Sequence, residues 1–386
     1  MHGGAGEVKR RGRKSINRAY QAQRRGPSGA WAWAGTVAAE KIIAAVTAAA
    51  LAGAFFLLLV PAAAVMLSDG VPGGFGSTAD NSDENGGLQL KNIIREKVDL
   101  PDTVKVWVED EGKCVKVDFE EYVCSVVASE MPWTFELEAL KAQSVAARTY
   151  VASKLESFEE GTTDAQHPEA AVCNTTHCQV YKTEKELIAC HDEGWEEEGW
   201  QKIQKACKAT EGELLYYEGS IVTQPLFFSS SGGQTENSED VFTSAYPYLV
   251  SVSSPYEDEA THTDEEKVFT ISEISERFNA VYGSRDIGNV SKTSLKILSR
   301  TSGGRVSQMQ IGDGSQGTFK GTEVRSALGL SSALFTISFS GDEVHFVSSG
   351  SGHGVGMSQY GADGMAANGS DYKEILTHYY TGTEVY

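Results

Sequence analysis

The sequence predicts an α+β protein, with a helical core and a β-rich subdomain, preceded by one transmembrane helix. Three observations carry this. Ile42 to Leu67 is a run of 26 positions without a charged residue, enough to cross a bilayer with some tilt. Asp118 to Glu156 places apolar residues at spacings of three and four, the period of helices with one buried face. Several later stretches, such as SLKILSRTSGGRVSQMQIG, instead cluster or alternate β-branched and aliphatic residues around Gly-rich turns.

The first 41 residues form a basic arm, in which nine Lys/Arg against Glu7 and Glu40 leave +7, so the remainder carries −27 of the −20 total. A basic flank before an apolar span places the N-terminus in the cytoplasm and the acidic remainder outside. A cleaved signal peptide is the rival reading, but its apolar region would be shorter. Residues 68–95, rich in Gly, Asp, Asn and Ser, read as a flexible linker. The acidic remainder argues against nucleic acid as a partner and leaves a glycan open.

Residues 96–254 and 345–386 read as the core. VKVWVED and CVKVDF make a hairpin turning at Glu111-Gly112. A first helix follows, with Phe119, Tyr122, Val123, Val126 and Val127 on one face and Glu130 next along it. Pro132 disfavours helix at Met131, which puts Glu130 in the last turn beside the negative end of the helix dipole. Apolar neighbours and the dipole both penalise its ionised form, and an acid kept protonated can donate to a leaving group. A surface glutamate at a frayed helix end is the plainer alternative. The second helix starts from Thr134 as N-cap, with Glu136 in its first turn and an apolar stripe of Leu137, Leu140, Ser144, Ala147, Val151 and Leu155. Arg148 lies on that stripe and wants a carboxylate partner or an anionic substrate, unless it snorkels to solvent.

In HPEAAVCNTTHCQVY, His167, Cys173 and Cys178 have spacings that fit one structural zinc ion, with His177 as substitute for His167. A disulfide is the competing reading, because all six cysteines follow the apolar span. Lys182 to Glu211 is charged and helix-compatible, and Cys190 and Cys207 are candidates to pair. LLYYEGSIVTQPLFFSSSGG alternates like strands around Glu218-Gly219. In the loop that follows, Gly232 and Gly233 let backbone amides approach a ligand, while Ser230, Gln234 and Thr235 offer hydrogen bonds. Residues 255–344 read as a β-rich insertion, with EEKVFTISEISERFN as one short helix. A helix opening near Ser358 follows three glycines around His353, and Asp371 caps a last helix that Gly382 stops.

EYVCSVVASEMPWTFELEALKAQSVAARTY resembles the signature of the stage II sporulation protein D family, the peptidoglycan lytic transglycosylases of endospore-forming bacteria, together with relatives that enhance cell-wall amidases. HCQVY, FFSSSGGQTENSEDVF, YPYLVSV and GHGVGMSQYGADGMAANG are similar to the same family in the same order. The resemblance runs from about residue 100 to the end, with a divergent middle. It implies a catalytic core that cleaves the β-1,4 bond between N-acetylmuramic acid and N-acetylglucosamine, with an anhydro ring formed on the muramic acid. Glu130 would be the acid and then the base, with Glu236 and Glu239 next in line. Gln143, Arg148, Ser230, Gly232, Gly233, Thr235, His353, Gln359 and Tyr360 would hold the glycan strand. It also implies a stage II sporulation protein P-like cell-wall amidase as partner, a place in the mother-cell membrane during engulfment, and no organic cofactor. Cys173 departs from the Asp-Thr-Thr run common in relatives, and with His167 and Cys178 it fits a zinc-binding branch. A non-catalytic glycan-binding activator of an amidase is the alternative function.

Overall fold

The computed structural model describes residues 98–386, apart from 160 and 243. The expected arm at 1–41, span at 42–67 and linker at 68–95 lie outside the described residues. Among the described residues no helix is long and apolar enough to cross a membrane. The fold is mixed α+β, with helices and several small sheets.

Strands β1 (Thr103–Val108) and β2 (Lys113–Asp118) form an antiparallel hairpin. It turns through Gly112, whose φ of 60° is one that a glycine adopts without strain. Asp118 then caps α1 (Phe119–Glu130), its carboxylate accepting from the Glu121 amide at 3.0 Å. The face of α1 bearing Phe119, Tyr122, Val123, Val126 and Val127 is buried.

Helix α2 (Leu137–Glu159) starts later than a Thr134 cap would give. The Glu136 amide donates to the Asp363 carboxylate at 2.6 Å, so the helix is begun by a partner 227 residues away. Its Ala- and Ser-rich sequence lets neighbours approach on all sides, and Ala142 through Ser153 are buried without a break. Strand β3 (Val172–Cys173) runs parallel to β1, pairing Cys173 with Trp107. Helices α3 (Glu184–Ala189) and α4 (Gln201–Ala209) follow, and α4 packs on α2. Cys207 of α4 faces Cys124 of α1 and the Ser144 hydroxyl, 3.4 Å away. Cys190, the candidate partner for Cys207, instead contacts Lys182 and His191.

Strands β4 (Leu215–Tyr217) and β5 (Ser220–Ile221) make the hairpin turning at Glu218-Gly219. After β6 (Phe227–Phe228) and the single turn α5 (Ser238–Val241), a second core begins. It gathers Phe269, Ile274, Phe278, Met309, Phe319 and Phe346 among others. Its elements are β7 (Glu265–Thr270), α6 (Ile271–Tyr282), β8 (Lys296–Arg300), β9 (Val306–Gln310), β10 (Thr318–Lys320), α7 (Gly321–Leu328), β11 (Phe335–Ser340) and β12 (Glu343–Ser348). The strands form two sheets, ordered β10-β9-β8 and β11-β12-β7. EEKVFT, expected to begin a helix, is strand β7. Thr270 starts α6 only afterwards, through a capping box with Glu273.

The chain returns through β13 (Met357–Ser358), parallel to β6, into α8 (Gln359–Ala367). Helix α9 (Tyr372–Tyr379), capped by Asp371, precedes β14 (Thr383–Val385), which adds to β4. Helices α1, α4, α8 and α9 thus all pack on α2.

Candidate functional site

Glu130 is the last residue of α1, and the chain leaves in an extended conformation at Met131, as Pro132 requires. Its half-buried carboxylate accepts a hydrogen bond from the Val180 amide at 2.8 Å. The backbone carbonyl of Glu130 accepts from the Gln359 side-chain amide at 3.1 Å, and the same amide reaches the Gln143 side-chain oxygen at 3.5 Å. Gln143 is fully buried, and its own Nε2 has no hydrogen-bond partner among the described residues. An orphaned buried donor is costly. Helices α1, α2 and α8 therefore bring together Glu130, Gln143 and Gln359. Tyr360, one residue on, packs its ring edge-on against Phe135, with centroids 5.0 Å apart.

Other residues expected to hold a ligand are committed elsewhere. Arg148 is wholly buried, and its guanidinium forms a two-pronged pair with Glu120, both contacts being 2.7 Å. It also donates to the Cys207 and Glu213 carbonyls at 3.3 and 3.4 Å. The carboxylate partner that its position demanded is thus internal, and full burial keeps the guanidinium from a sugar. The Gly232 amide donates to Glu257 and the Gly233 amide to the Ser231 hydroxyl, so neither is spare for a ligand. Thr235 exchanges hydrogen bonds with both main-chain groups of Val252. The Ser230 hydroxyl is buried and without a partner among the described residues. Glu236 is fully buried against Arg305 at 3.3 Å, which removes it from any cleft, while Glu239 is exposed. A Cβ on Gly354 would sit 2.4 Å from the Arg305 guanidinium carbon, so the close approach requires glycine there. His353 donates from Nε2 to the Phe227 carbonyl and accepts at Nδ1 from the Val355 amide. Desolvation of the ring, and then the nearby Arg325 charge, pull its pKa down to about 4, so it is a neutral, packed turn residue.

His167, Cys173, His177 and Cys178 converge, with one ligand atom from each lying within 4.8 Å of all the others. His177 is therefore a fourth member of the group rather than a substitute for His167. The other ring nitrogen of His167 donates to the Ala170 carbonyl at 2.9 Å, and that of His177 lies 3.5 Å from Asp164. These contacts orient both imidazoles inward. Both sulfurs are free thiols. Cys178 stands two residues before Val180, so whatever fixes this cluster also fixes the amide that meets Glu130.

Val180, Glu120, Glu257 and Arg305 were not legible as members of these networks. Val180 contributes only a backbone N–H, and the other three act on partners far away in the chain.

A model described as stage II sporulation protein matches residues 109–217, and one described as a domain of unknown function (DUF8618) matches residues 260–356. The chain is 37% identical over 287 residues to stage II sporulation protein D of Bacillus subtilis (strain 168), covering 74% of this chain and 79% of the relative. It is 36% identical over 287 residues to the protein of that name from Bacillus amyloliquefaciens, with the same coverage. An amidase enhancer of Bacillus subtilis (strain 168) is 29% identical over 304 residues, covering 67% of this chain and 39% of that protein. With the matched residues 109–217 spanning α1, α2 and the loop that ends at Val180, and 37% identity over most of the relative's length, the chain belongs to the stage II sporulation protein D family.

Proposed function

We propose that this protein is a membrane-anchored lytic transglycosylase that cleaves the bond between N-acetylmuramic acid and N-acetylglucosamine in peptidoglycan glycan strands, with Glu130 as acid and then base. The observation that carries this reading is the Glu130 corner itself. The Glu130 carboxylate meets the Val180 backbone donor, and the Gln359 side-chain amide ties the Glu130 carbonyl to the fully buried Gln143. Glu130 gives its proton to the bridging oxygen as that bond breaks. Its carboxylate, held by the Val180 amide, then takes the proton from the C6 hydroxyl as that oxygen bonds to C1 and closes the anhydro ring. The neighbouring hydroxyl replaces water as nucleophile, so no second carboxylate is needed.

Two thiols and two imidazoles, each imidazole oriented from behind, suit a tetrahedral zinc ion. With four protein ligands the ion would be structural, pinning the loop that ends at Val180. The unbroken apolar run at 42–67 would anchor the protein, leaving the N-terminal arm in the cytoplasm and the core outside.

The test uses glycan strands stripped of their stem peptides. Parent protein should release anhydromuramyl products, and Glu130→Gln should bind strands equally well and release none. Product formation by Glu130→Gln at the parent rate would put the acid elsewhere. The similarity to a protein named amidase enhancer favours a second reading, a glycan-binding activator of a cell-wall amidase such as a stage II sporulation protein P-like partner. That reading predicts strand binding without products from the parent protein, and faster turnover when the amidase is added.

A further inference from the structure

Glu257 lies just past the YPYLVSV segment, and its carboxylate is saturated. Oε1 accepts from the Ser254 hydroxyl at 2.7 Å, the Ser358 hydroxyl at 2.5 Å and the Ser231 amide at 3.1 Å. Oε2 accepts from the Ser231 amide at 2.9 Å and the Gly232 amide at 3.0 Å. Two segments remote in sequence, at Ser231-Gly232 and at Ser358, therefore converge with the local Ser254 on one side chain. A carboxylate holds about four lone-pair sites, so none is left for substrate or for proton transfer. This group works only through what it holds.

What it holds adjoins the acid. Ser358 is the N-cap of α8, its hydroxyl accepting from the Gly361 amide at 3.2 Å, and the next residue is Gln359, whose amide meets the Glu130 carbonyl. The start of α8 is also tied to the SSSGG segment by the Tyr360 amide, which donates to the Ser229 carbonyl at 3.0 Å. Space here is fully used. A Cβ on Gly361 would lie 2.0 Å from the Tyr379 hydroxyl, 2.4 Å from that of Ser254 and 3.1 Å from Glu257 Oε1. Charge-assisted hydrogen bonds to a fixed anion are short and directional, so they set position as well as energy.

We propose that Glu257 is a positioning residue, tying the Ser231-Gly232 loop to the N-terminus of α8 and so fixing where Gln359 meets Glu130. Its effect on catalysis rests on the transglycosylase reading above, whereas its effect on the position of α8 does not.

The experiment compares full-length parent, Glu257→Ala, Ser358→Ala and Ser358→Thr by amide hydrogen exchange and by glycan cleavage. Glu257→Ala should speed exchange at Gly232 and Gly361. Glu257→Ala and Ser358→Ala should each lower kcat by about tenfold or more with KM little changed, since small misplacements near a reacting group are costly. Ser358→Thr keeps the hydroxyl and should retain the parent kcat, a rescue that simple destabilisation does not give. Unchanged exchange at Gly232 and Gly361 overturns the proposal, whether or not glycan is cleaved. Faster exchange with parent kcat overturns it as well. If parent protein cleaves no glycan, the transglycosylase reading fails, and the exchange result alone decides for or against Glu257. Should Glu257→Ala not fold, Glu257→Gln, which keeps one acceptor oxygen, is read in the same way.

Discussion

Removing Glu120 should destabilise the protein more than its half-buried position at the start of α1 suggests. The Glu120 side chain is 29% accessible, but the Arg148 guanidinium that it neutralises is 0% accessible. Glu120→Ala leaves that cation with two long contacts, to the Cys207 and Glu213 carbonyls. Orphaning one member of a buried pair costs about 3–5 kcal/mol. The water that already reaches Glu120 can partly rehydrate the vacated site, which places the expected loss near the lower end, about 3 kcal/mol. At about 2.1 cal/mol/K of unfolding entropy per residue, a folded region of about 290 residues shifts by about 1.6 °C per kcal/mol, so the thermal midpoint should fall by about 5 °C. Replacing the cation as well, in Glu120→Ala/Arg148→Met, removes the buried charge while keeping much of the side-chain volume. The double variant should therefore regain most of the loss. The assay is urea and thermal unfolding of the purified parent, single variants and double variant, with glycan affinity measured alongside. A loss under about 1 kcal/mol for Glu120→Ala, or a double variant no more stable than the single one, would refute an internal role for Arg148. So would an Arg148→Met protein of parent stability that has lost its affinity for glycan.

Two further outcomes follow from the same geometry. Purified protein should hold about one zinc per chain, and His177→Ala should surrender it to a chelator at lower concentration than parent does; equal retention would show that His177 is not a ligand. His353, whose pKa is pulled from 6.5 in the unfolded chain to about 4 in the fold, binds its proton more readily when unfolded. Stability from this group is therefore complete above about pH 6.5 and is lost as pH falls towards 4, by at most about 3 kcal/mol. His353→Gln should flatten the stability profile in that window, and a slope identical to parent would contradict the neutral, hydrogen-bonded ring.

Patterning made the helices visible. The three-and-four spacing of Phe119 to Val127 sufficed to place Glu130 at a helix end, because apolar periodicity and a following proline act within a few residues. The Gly112 and Glu218-Gly219 turns and the Asp371 cap were legible for the same reason. EEKVFT was misread because six residues carry too few periods to separate strand from helix until the neighbouring strand β12 is known. The thiol and imidazole spacing brought out His167, Cys173 and Cys178, but His177 joined them only when the loop folded both imidazoles inward.

Taken alone, the sequence determined the chemical inventory: an acid at the end of α1, a buried cation in α2, thiols and imidazoles in one loop, and polar glycine-rich segments later. Tertiary structure decided which groups remain available. It paired Arg148 with Glu120, spent the Gly232 amide on Glu257, buried Glu236 against Arg305, and left the buried Gln143 Nε2 without a partner among the described residues. The reason is that hydrogen-bonding capacity is finite and shared across the fold. Residue type states how many bonds a side chain can make, and only packing between distant segments states how many are still unmade.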